Sequence, residues 1–309
     1  MSTLTPPVIR ERKRGGGLQN RDSLWAALPW VGPVLLLIFG VVLFPAAYMI
    51  YSSTRRISQA GTNVEGVGFE NFATVFADPN LPRVLLNTFV WVIVVVSVTV
   101  VLSLLLANFL NKPFPGRTLV RMAVIVPWAA SVVMTTTVFY YGLDRDYGIM
   151  NSFLVDIGLL DSTYGFTKNV ATALGAAIVV GIFVSIPFTT YTLLAGLQAV
   201  PSDALEAAKM DGAGPVRTYF SVVLPQLRGA LAVAVLINVI NVFNNLPILR
   251  IMTGSIPGYS ADTLMTYIFK VLQFDRRLDI ASALSVVNFA VVILIVAVYV
   301  KVVKPMKET

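Results

Sequence analysis

The stretch FVWVIVVVSVTVVLSLLLANFL, residues 89 to 110, is a long apolar run without a charged side chain. A helix needs about 20 consecutive apolar residues to cross the hydrocarbon core of a bilayer. The run is apolar on every face, whereas a membrane β-barrel is built from alternating segments of about ten residues. The stretch therefore predicts a transmembrane α-helix.

Five further segments share this character, so the sequence predicts an all-α membrane protein with six transmembrane helices. The composition agrees, because 56% of the 309 residues are hydrophobic and only 13% are charged. The predicted spans cover about residues 25–51, 84–110, 119–141, 170–197, 229–249 and 280–300. Around them we assign an N-terminal tail (1–24), a transmembrane domain (25–305) with a long loop (199–228), and a C-terminal end (306–309).

The distribution of positive charge predicts the orientation of these spans. Of the 23 lysines and arginines, 14 fall in the two terminal segments and in the loops on the same side of the membrane. Cytoplasmic segments carry an excess of such residues, so both termini are expected in the cytoplasm. Membrane topology also explains the net charge of +7, and the scattered bases lack the interleaved aromatic residues of a nucleic-acid site.

The residue types that are missing exclude several classes of chemistry. The chain has no cysteine and no histidine, which excludes disulfides, thiol catalysis and ordinary zinc sites. No cluster of side chains has the pattern of a catalytic site, so we expect neither catalytic nor metal-binding residues. A membrane enzyme is therefore disfavoured.

The loop between the fourth and fifth predicted spans is unusually polar, and its residues predict two short helices. Asp203 and Glu206 have the spacing of a capping box at the start of the first helix. That helix should end near Asp211, because Gly212 can adopt the left-handed conformation that closes a helix. Pro215 suits the first turn of the second helix.

The second short helix has an apolar side, and Pro225 is expected to end it before the fifth span. Such a side either packs under the protein's own bundle or binds another protein. The residues that form it are Val216, Tyr219, Phe220 and Val223.

The sequences EAAKMDGA and FSVVLP in this loop closely resemble the cytoplasmic loop of permease subunits of ATP-binding-cassette (ABC) importers. That loop has a Glu-Ala-Ala triplet, a glycine after three further residues, and then a Leu-Pro pair. The positions that fill the pattern here are Glu206, Ala207, Ala208, Asp211, Gly212, Ala213, Leu224 and Pro225.

The resemblance covers about residues 25 to 305 and points to the branch that imports sugars and related polar solutes. GVGFENFATVFADP, DRDYGIMNSFLVDIGLL and MTGSIPGYSADTLMTYIF are similar to the outside loops of that branch. ASALSVV is similar to the start of its last helix.

The resemblance implies the type I ABC importer permease fold, with the two short helices acting as a coupling helix pair that docks on a separate ATPase. It implies a complex in a bacterial cytoplasmic (inner) membrane, with two ATPase subunits, a second permease, an external solute-binding protein and the surrounding lipid. The second permease is homologous or identical to this chain, and the sugar branch commonly uses two different ones. No Walker A pattern occurs in this chain, so it should need no cofactor of its own, and ATP and Mg²⁺ should bind to the ATPase subunits.

Polar residues inside the predicted spans are candidates for the solute pathway, since they usually face a cavity or another helix. Amides suit sugar hydroxyls, and an aromatic face suits a sugar ring. The same residues could instead join helices through hydrogen bonds or satisfy carbonyls freed by Pro187. The candidates are Asn238, Asn241 and Asn245 on one predicted helix face, Trp128, Ser131 and Thr135 in the third span, and Ser185 and Thr189 in the fourth.

These observations predict a permease subunit of an ATP-driven, binding-protein-dependent importer of a sugar or related polar solute, working by alternating access. The alternative from another class is a secondary transporter or channel for a polar solute. Such a protein would not need the apolar docking element in the loop and would function without ATPase subunits.

Overall fold

A computed structural model describes residues 21–58 and 64–303 of the chain, and the side chains of residues 29–58 and 64–301. Within these residues the fold is helical apart from one short hairpin, in which strand β1 (Arg55–Ile57) pairs antiparallel with β2 (Val64–Gly66). Most of the predicted N-terminal tail and the predicted C-terminal end lie outside the described residues.

The N-terminal unit is one continuous helical segment. Helix α1 (Arg21–Leu37) passes through a π-helical turn (Ile38–Leu43) into α2 (Phe44–Ser53). Residues 29 to 53 are apolar and long enough to cross a membrane. The helical segment corresponds to the first predicted span, 25–51, and begins a few residues before it, at Arg21.

The second unit contains the remaining helices. Three of them are long: α4 (Leu81–Asn111), α8 (Val170–Gln198) and α15 (Leu278–Val303). The shorter helices, in chain order, are α3 (Glu70–Phe76), α5 (Arg117–Ala129), α6 (Val132–Gly142), α7 (Ile149–Asp156), α9 (Ser202–Met210), α10 (Pro215–Thr218), α11 (Leu224–Gln226), α12 (Arg228–Phe243), α13 (Leu246–Thr253) and α14 (Leu264–Gln273). A second π-helical turn (Tyr219–Val223) joins α10 to α11.

Four helical segments of the described chain are individually long and apolar enough to cross a membrane, or up to six if each of two bent pairs counts as one span. One bent pair is α5 and α6, which meet at 95°. The third predicted span, 119–141, is therefore bent in the structure rather than one straight helix. Ala130 and Ser131 are extended at the bend, and Pro127 lies one turn before it.

The fifth predicted span, 229–249, also differs from the structure. Helix α12 ends at Phe243, and a new helix, α13, starts at Leu246. The Asn245 side chain caps the start of α13 by accepting a hydrogen bond from the Ile248 N–H (3.1 Å). The second bent pair consists of the helical segment Pro215–Gln226 and α12, and the helix direction changes by 64° between them.

The packing of α4 against α8 and α12 centres on Trp91. The ring is fully buried, and its Nε1–H donates to the backbone carbonyl of Val242 (2.7 Å). Gly181 of α8 faces the ring so closely that an added Cβ would lie 2.6 Å from Trp91 Cη2. The absence of a side chain at residue 181 therefore sets the distance between α4 and α8.

We expect Gly181→Ala to destabilise the protein by about 1–3 kcal/mol, because the added methyl overpacks the contact with Trp91. Thermal unfolding of the detergent-purified chain measures this as a lower midpoint. Gly175→Ala on the same helix is the matched control, since nothing lies within 4 Å of a Cβ at residue 175. Equal midpoints for the two variants would contradict this account of the contact.

Candidate functional site

The loop between α8 and α12 folds into the two short helical segments that the sequence predicts. Helix α9 begins at Ser202, directly after the extended residue Pro201. The predicted capping box is absent: Asp203 lies in the first turn, and no side chain caps the helix start. The kink at Pro201 therefore determines where α9 begins, rather than the Asp203 and Glu206 pair.

Gly212 closes α9 in the predicted way. Its φ is +72°, in the left-handed region that glycine adopts at low cost. The Gly212 N–H donates to the Lys209 carbonyl (3.0 Å), and the Ala213 N–H donates to the Ala208 carbonyl (2.9 Å). This pair of bonds is the Schellman motif, which satisfies carbonyls left free at the end of a helix.

The second segment starts at Pro215 and ends at Gln226, one residue after Pro225 rather than before it. Proline lacks an N–H and its ring crowds the carbonyl four residues earlier. The π-helical turn before it provides the necessary widening, and the Leu224 N–H donates to the carbonyl of Tyr219, five residues back.

The side of this loop that carries Tyr219 and Val223 packs on the protein itself. Asn108 of α4 donates its Nδ2–H to the Tyr219 hydroxyl (2.9 Å). Val223 packs against a buried cluster that includes Leu110 of α4 and Leu197 of α8. Half of the apolar side predicted on the second helix is therefore internal.

Three other apolar side chains of the loop face away from the protein. Met210 is 88% exposed, Val216 is 72% exposed and Phe220 is 62% exposed. We call these residues the loop docking surface. Large apolar side chains exposed together on a polar loop are typical of a surface that binds another protein. Val216 and Phe220 were predicted on the apolar side of the second helix, whereas Met210, the last residue of α9, was not.

Small residues make a groove between α9 and the second segment. It has a volume of about 390 Å³, and its lining includes Ala207, Ala208 and Ala213. Ala208 is buried, while Glu206, Ala207 and Asp211 are exposed. Within the described residues neither the Glu206 nor the Asp211 carboxylate forms an ion pair. Leu224 and Pro225 are half-buried at the far end of the loop.

The polar candidates on α8 and α12 meet at one point in the bundle. Asn238 is buried and donates from Nδ2 to the Thr189 hydroxyl (2.7 Å) and to the Ala234 carbonyl (2.9 Å). The Thr189 hydroxyl in turn donates to the Ser185 carbonyl (2.8 Å). Asn238 and Thr189 therefore join two helices, as one of the two alternatives for these residues proposes.

The other pathway candidates are separated. Asn241 is exposed on α12, while Asn245 caps α13 and so does not share a helix face with Asn238 and Asn241 as predicted. Trp128, 63% exposed, and Ser131, also exposed, flank the bend between α5 and α6, and Thr135 is half-buried on α6.

Asp144 lies between α6 and α7, in a loop predicted to be outside the membrane. Its carboxylate accepts hydrogen bonds from the backbone N–H groups of Asp146 (2.9 Å) and Tyr147 (3.2 Å), which lower the pKa of Asp144. This side chain orders the turn. The described residues contain no group of three or more acidic side chains placed to hold a metal ion.

The sequence from residue 83 to 306 matches the family described as binding-protein-dependent transport system inner membrane component. The chain belongs to this family. It is therefore a permease component of the inner membrane, working with a solute-binding protein. The match contains the whole α8–α12 loop and every polar pathway candidate.

Similar proteins agree with this assignment. A probable ABC transporter permease protein of Brucella suis biovar 1 is 33% identical to this permease, and the match covers 92% of this chain and 98% of the relative. The sulfoquinovosyl glycerol transport system permease protein SmoG of Agrobacterium fabrum is 31% identical, with 92% and 91% covered.

The fold has also been seen in a solved structure. A chain of the bacterial alginate ABC transporter, in complex with an alginate pentasaccharide-bound periplasmic protein, matches with a TM-score of 0.79 at 22% identity. The match covers 94% of this permease and 96% of that chain. The permease therefore has the predicted ABC importer permease fold.

Proposed function

We propose that this permease imports a sugar or a sugar derivative, driven by ATP hydrolysis in two separate ATPase subunits. The solute class is supported by the relative SmoG, whose name specifies sulfoquinovosyl glycerol. Solute would arrive on an external binding protein and pass by alternating access between this chain and a second, different permease. Both termini would lie in the cytoplasm.

The observation that carries the link to an ATPase is the loop docking surface. Met210, Val216 and Phe220 expose apolar side chains next to the unpaired carboxylates of Glu206 and Asp211. Burying these side chains in a protein groove would be favourable, and the carboxylates could fix the orientation through charge-assisted hydrogen bonds. Movement of the ATPase pair would then reach α8 and α12, because the loop joins the two helices.

Exposed Asn241, Trp128 and Ser131 are the best remaining candidates for solute contact, with Thr135 beside them. Each offers an amide, an aromatic face or a hydroxyl that is not already used between helices in the described structure. Asn238, Thr189 and Asn245 would instead support the shape of the pathway, and Ser185, whose hydroxyl is not used between helices in the described structure, would stay a candidate.

We expect the tagged chain, expressed with its neighbouring genes and purified in mild detergent, to carry an ATPase and a second permease in stoichiometric amounts. Phe220→Glu should lower ATPase recovery by about tenfold, because it places a charge in the apolar contact. Phe153→Glu, which changes an exposed aromatic residue of α7, is the control. A chain that purifies alone and moves solute in liposomes without ATP would instead be a secondary transporter or channel.

A further inference from the structure

A cleft lies in the part of the chain between α12 and α15. It consists of two cavities, of about 210 and 280 Å³, that share Gly254, Lys270 and Phe274 in their linings. Together they are of the size that holds a small molecule. We call this the outer cleft, because the segment is predicted to lie outside the membrane.

Two of the three charged groups in the outer cleft neutralise each other. Asp262 is fully buried, and its Oδ2 lies 2.8 Å from Lys270 Nζ. Lys270 also donates to the Gly258 carbonyl (2.7 Å). Burial raises the pKa of Asp262, and the Lys270 ammonium opposes that shift. The pair therefore adds no net charge to the cleft.

Arg250 is the third charged group, and its charge is not compensated. Its guanidinium carbon lies 3.9 Å from the centre of the Phe269 ring. Within the described part of the chain it forms no ion pair, and none of its guanidinium N–H groups donates a hydrogen bond. Stacking on an aromatic ring holds a guanidinium in place while leaving its N–H groups free. The side chains that line the outer cleft thus carry one excess positive charge, on Arg250, while the Asp275 carboxylate beside the cleft accepts a hydrogen bond from the Tyr259 hydroxyl (3.0 Å).

We propose that the outer cleft binds the anionic group of an acidic sugar, through two parallel hydrogen bonds from Arg250. A guanidinium fits the two oxygens of a carboxylate, sulfonate or phosphate in this way. Phe274, 68% exposed, supplies an aromatic face for the sugar ring. This inference rests on the proposed function and narrows its solute class to anionic sugars.

The place of the cleft in the chain suits a first contact for the solute. Arg250 lies on α13, which starts at Asn245, immediately after the helix that carries Asn241. With both termini in the cytoplasm, α12 runs outward and the cleft lies at its outer end. The bound anion would therefore lie on the outer side of the polar residues of the proposed pathway.

The test measures binding of D-glucuronate and D-glucose to the purified full chain in lipid nanodiscs, by saturation-transfer NMR and calorimetry. These probes differ in one carboxylate. We expect glucuronate to bind about tenfold or more tightly than glucose, and Arg250→Gln to abolish that preference. Arg250→Lys keeps the positive charge but loses the paired N–H donors of the guanidinium, so it should retain part of the preference for glucuronate.

Arg83→Gln is the matched control, because Arg83 is exposed at the start of α4 and does not line the cleft. Its preference for glucuronate should equal that of the unmodified chain. Equal binding of the two sugars, no binding of either, or an equal loss in Arg83→Gln would each overturn the proposal. The assay uses neither ATP nor partner subunits, so its failure is distinguishable from a failure to recover an ATPase.

Discussion

Replacing Gly212 by valine is expected to uncouple ATP hydrolysis from uptake, with about a tenfold loss of solute moved per ATP. A left-handed residue with a side chain costs about 1–2 kcal/mol, and a β-branched one is a stronger outlier. Since 1.4 kcal/mol corresponds to about tenfold in an equilibrium constant, the equilibrium constant for forming the Schellman turn would fall by about that factor. The two loop segments would then no longer hold the loop docking surface in one geometry.

The measurement compares uptake and ATP hydrolysis in proteoliposomes that contain the whole transporter. Gly214→Val is the matched control: both glycines are exposed with nothing within 4 Å of an added Cβ, but the φ of Gly214 is −67°. The control should transport normally. Equal losses in both variants would show that added bulk, rather than backbone conformation, disturbs the loop. Normal transport by Gly212→Val would contradict our account of the turn.

The second prediction is that leucine substitutions of two asparagines on α12 have different effects. Asn238→Leu should destabilise the chain by about 1–3 kcal/mol, because it removes a buried hydrogen bond to Thr189 and forces a branched side chain into its place. Asn241→Leu should leave stability unchanged, since Asn241 is exposed, and should lower uptake by about tenfold if the amide contacts solute.

Thermal unfolding of each purified variant, together with uptake by the assembled transporter, makes the distinction. The key comparison is uptake per assembled complex, which removes the effect of poor assembly. A lower unfolding midpoint and loss of assembly in Asn241→Leu would assign Asn241 to helix packing instead. Unchanged stability in Asn238→Leu would show that its bond to Thr189 contributes little.

Much of the fold follows from local properties of the sequence. The long helices α4, α8 and α15 were predicted within a few residues, because a sustained apolar run has no other stable structure in a bilayer. The closure of α9 at Gly212 and the start of α10 at Pro215 were also predicted. Each depends only on the backbone conformation that one residue type allows.

Other features depend on contacts between distant residues, so local patterns gave the wrong answer. The apolar runs continue through the bend at Ala130 and Ser131 and through the end of α12, and helical periodicity contains no signal for either break. Asp203 and Glu206 have the spacing of a capping box, yet the N-cap position of α9 is Pro201, and no side chain caps the helix start. Pro225 continues its helix because the preceding turn widens.

The sequence alone therefore determined the helical membrane architecture and the loop motif, because hydropathy, proline and glycine act over a few residues. Only the tertiary structure decided what each polar residue of the bundle does. Asn238 and Asn241 are chemically identical and three residues apart, but Thr189 of α8 stands within 2.7 Å of the first. A buried amide forms hydrogen bonds with the polar groups that packing places next to it. Because Thr189 is 49 residues from Asn238 in the sequence, the local pattern around Asn238 could not predict this bond.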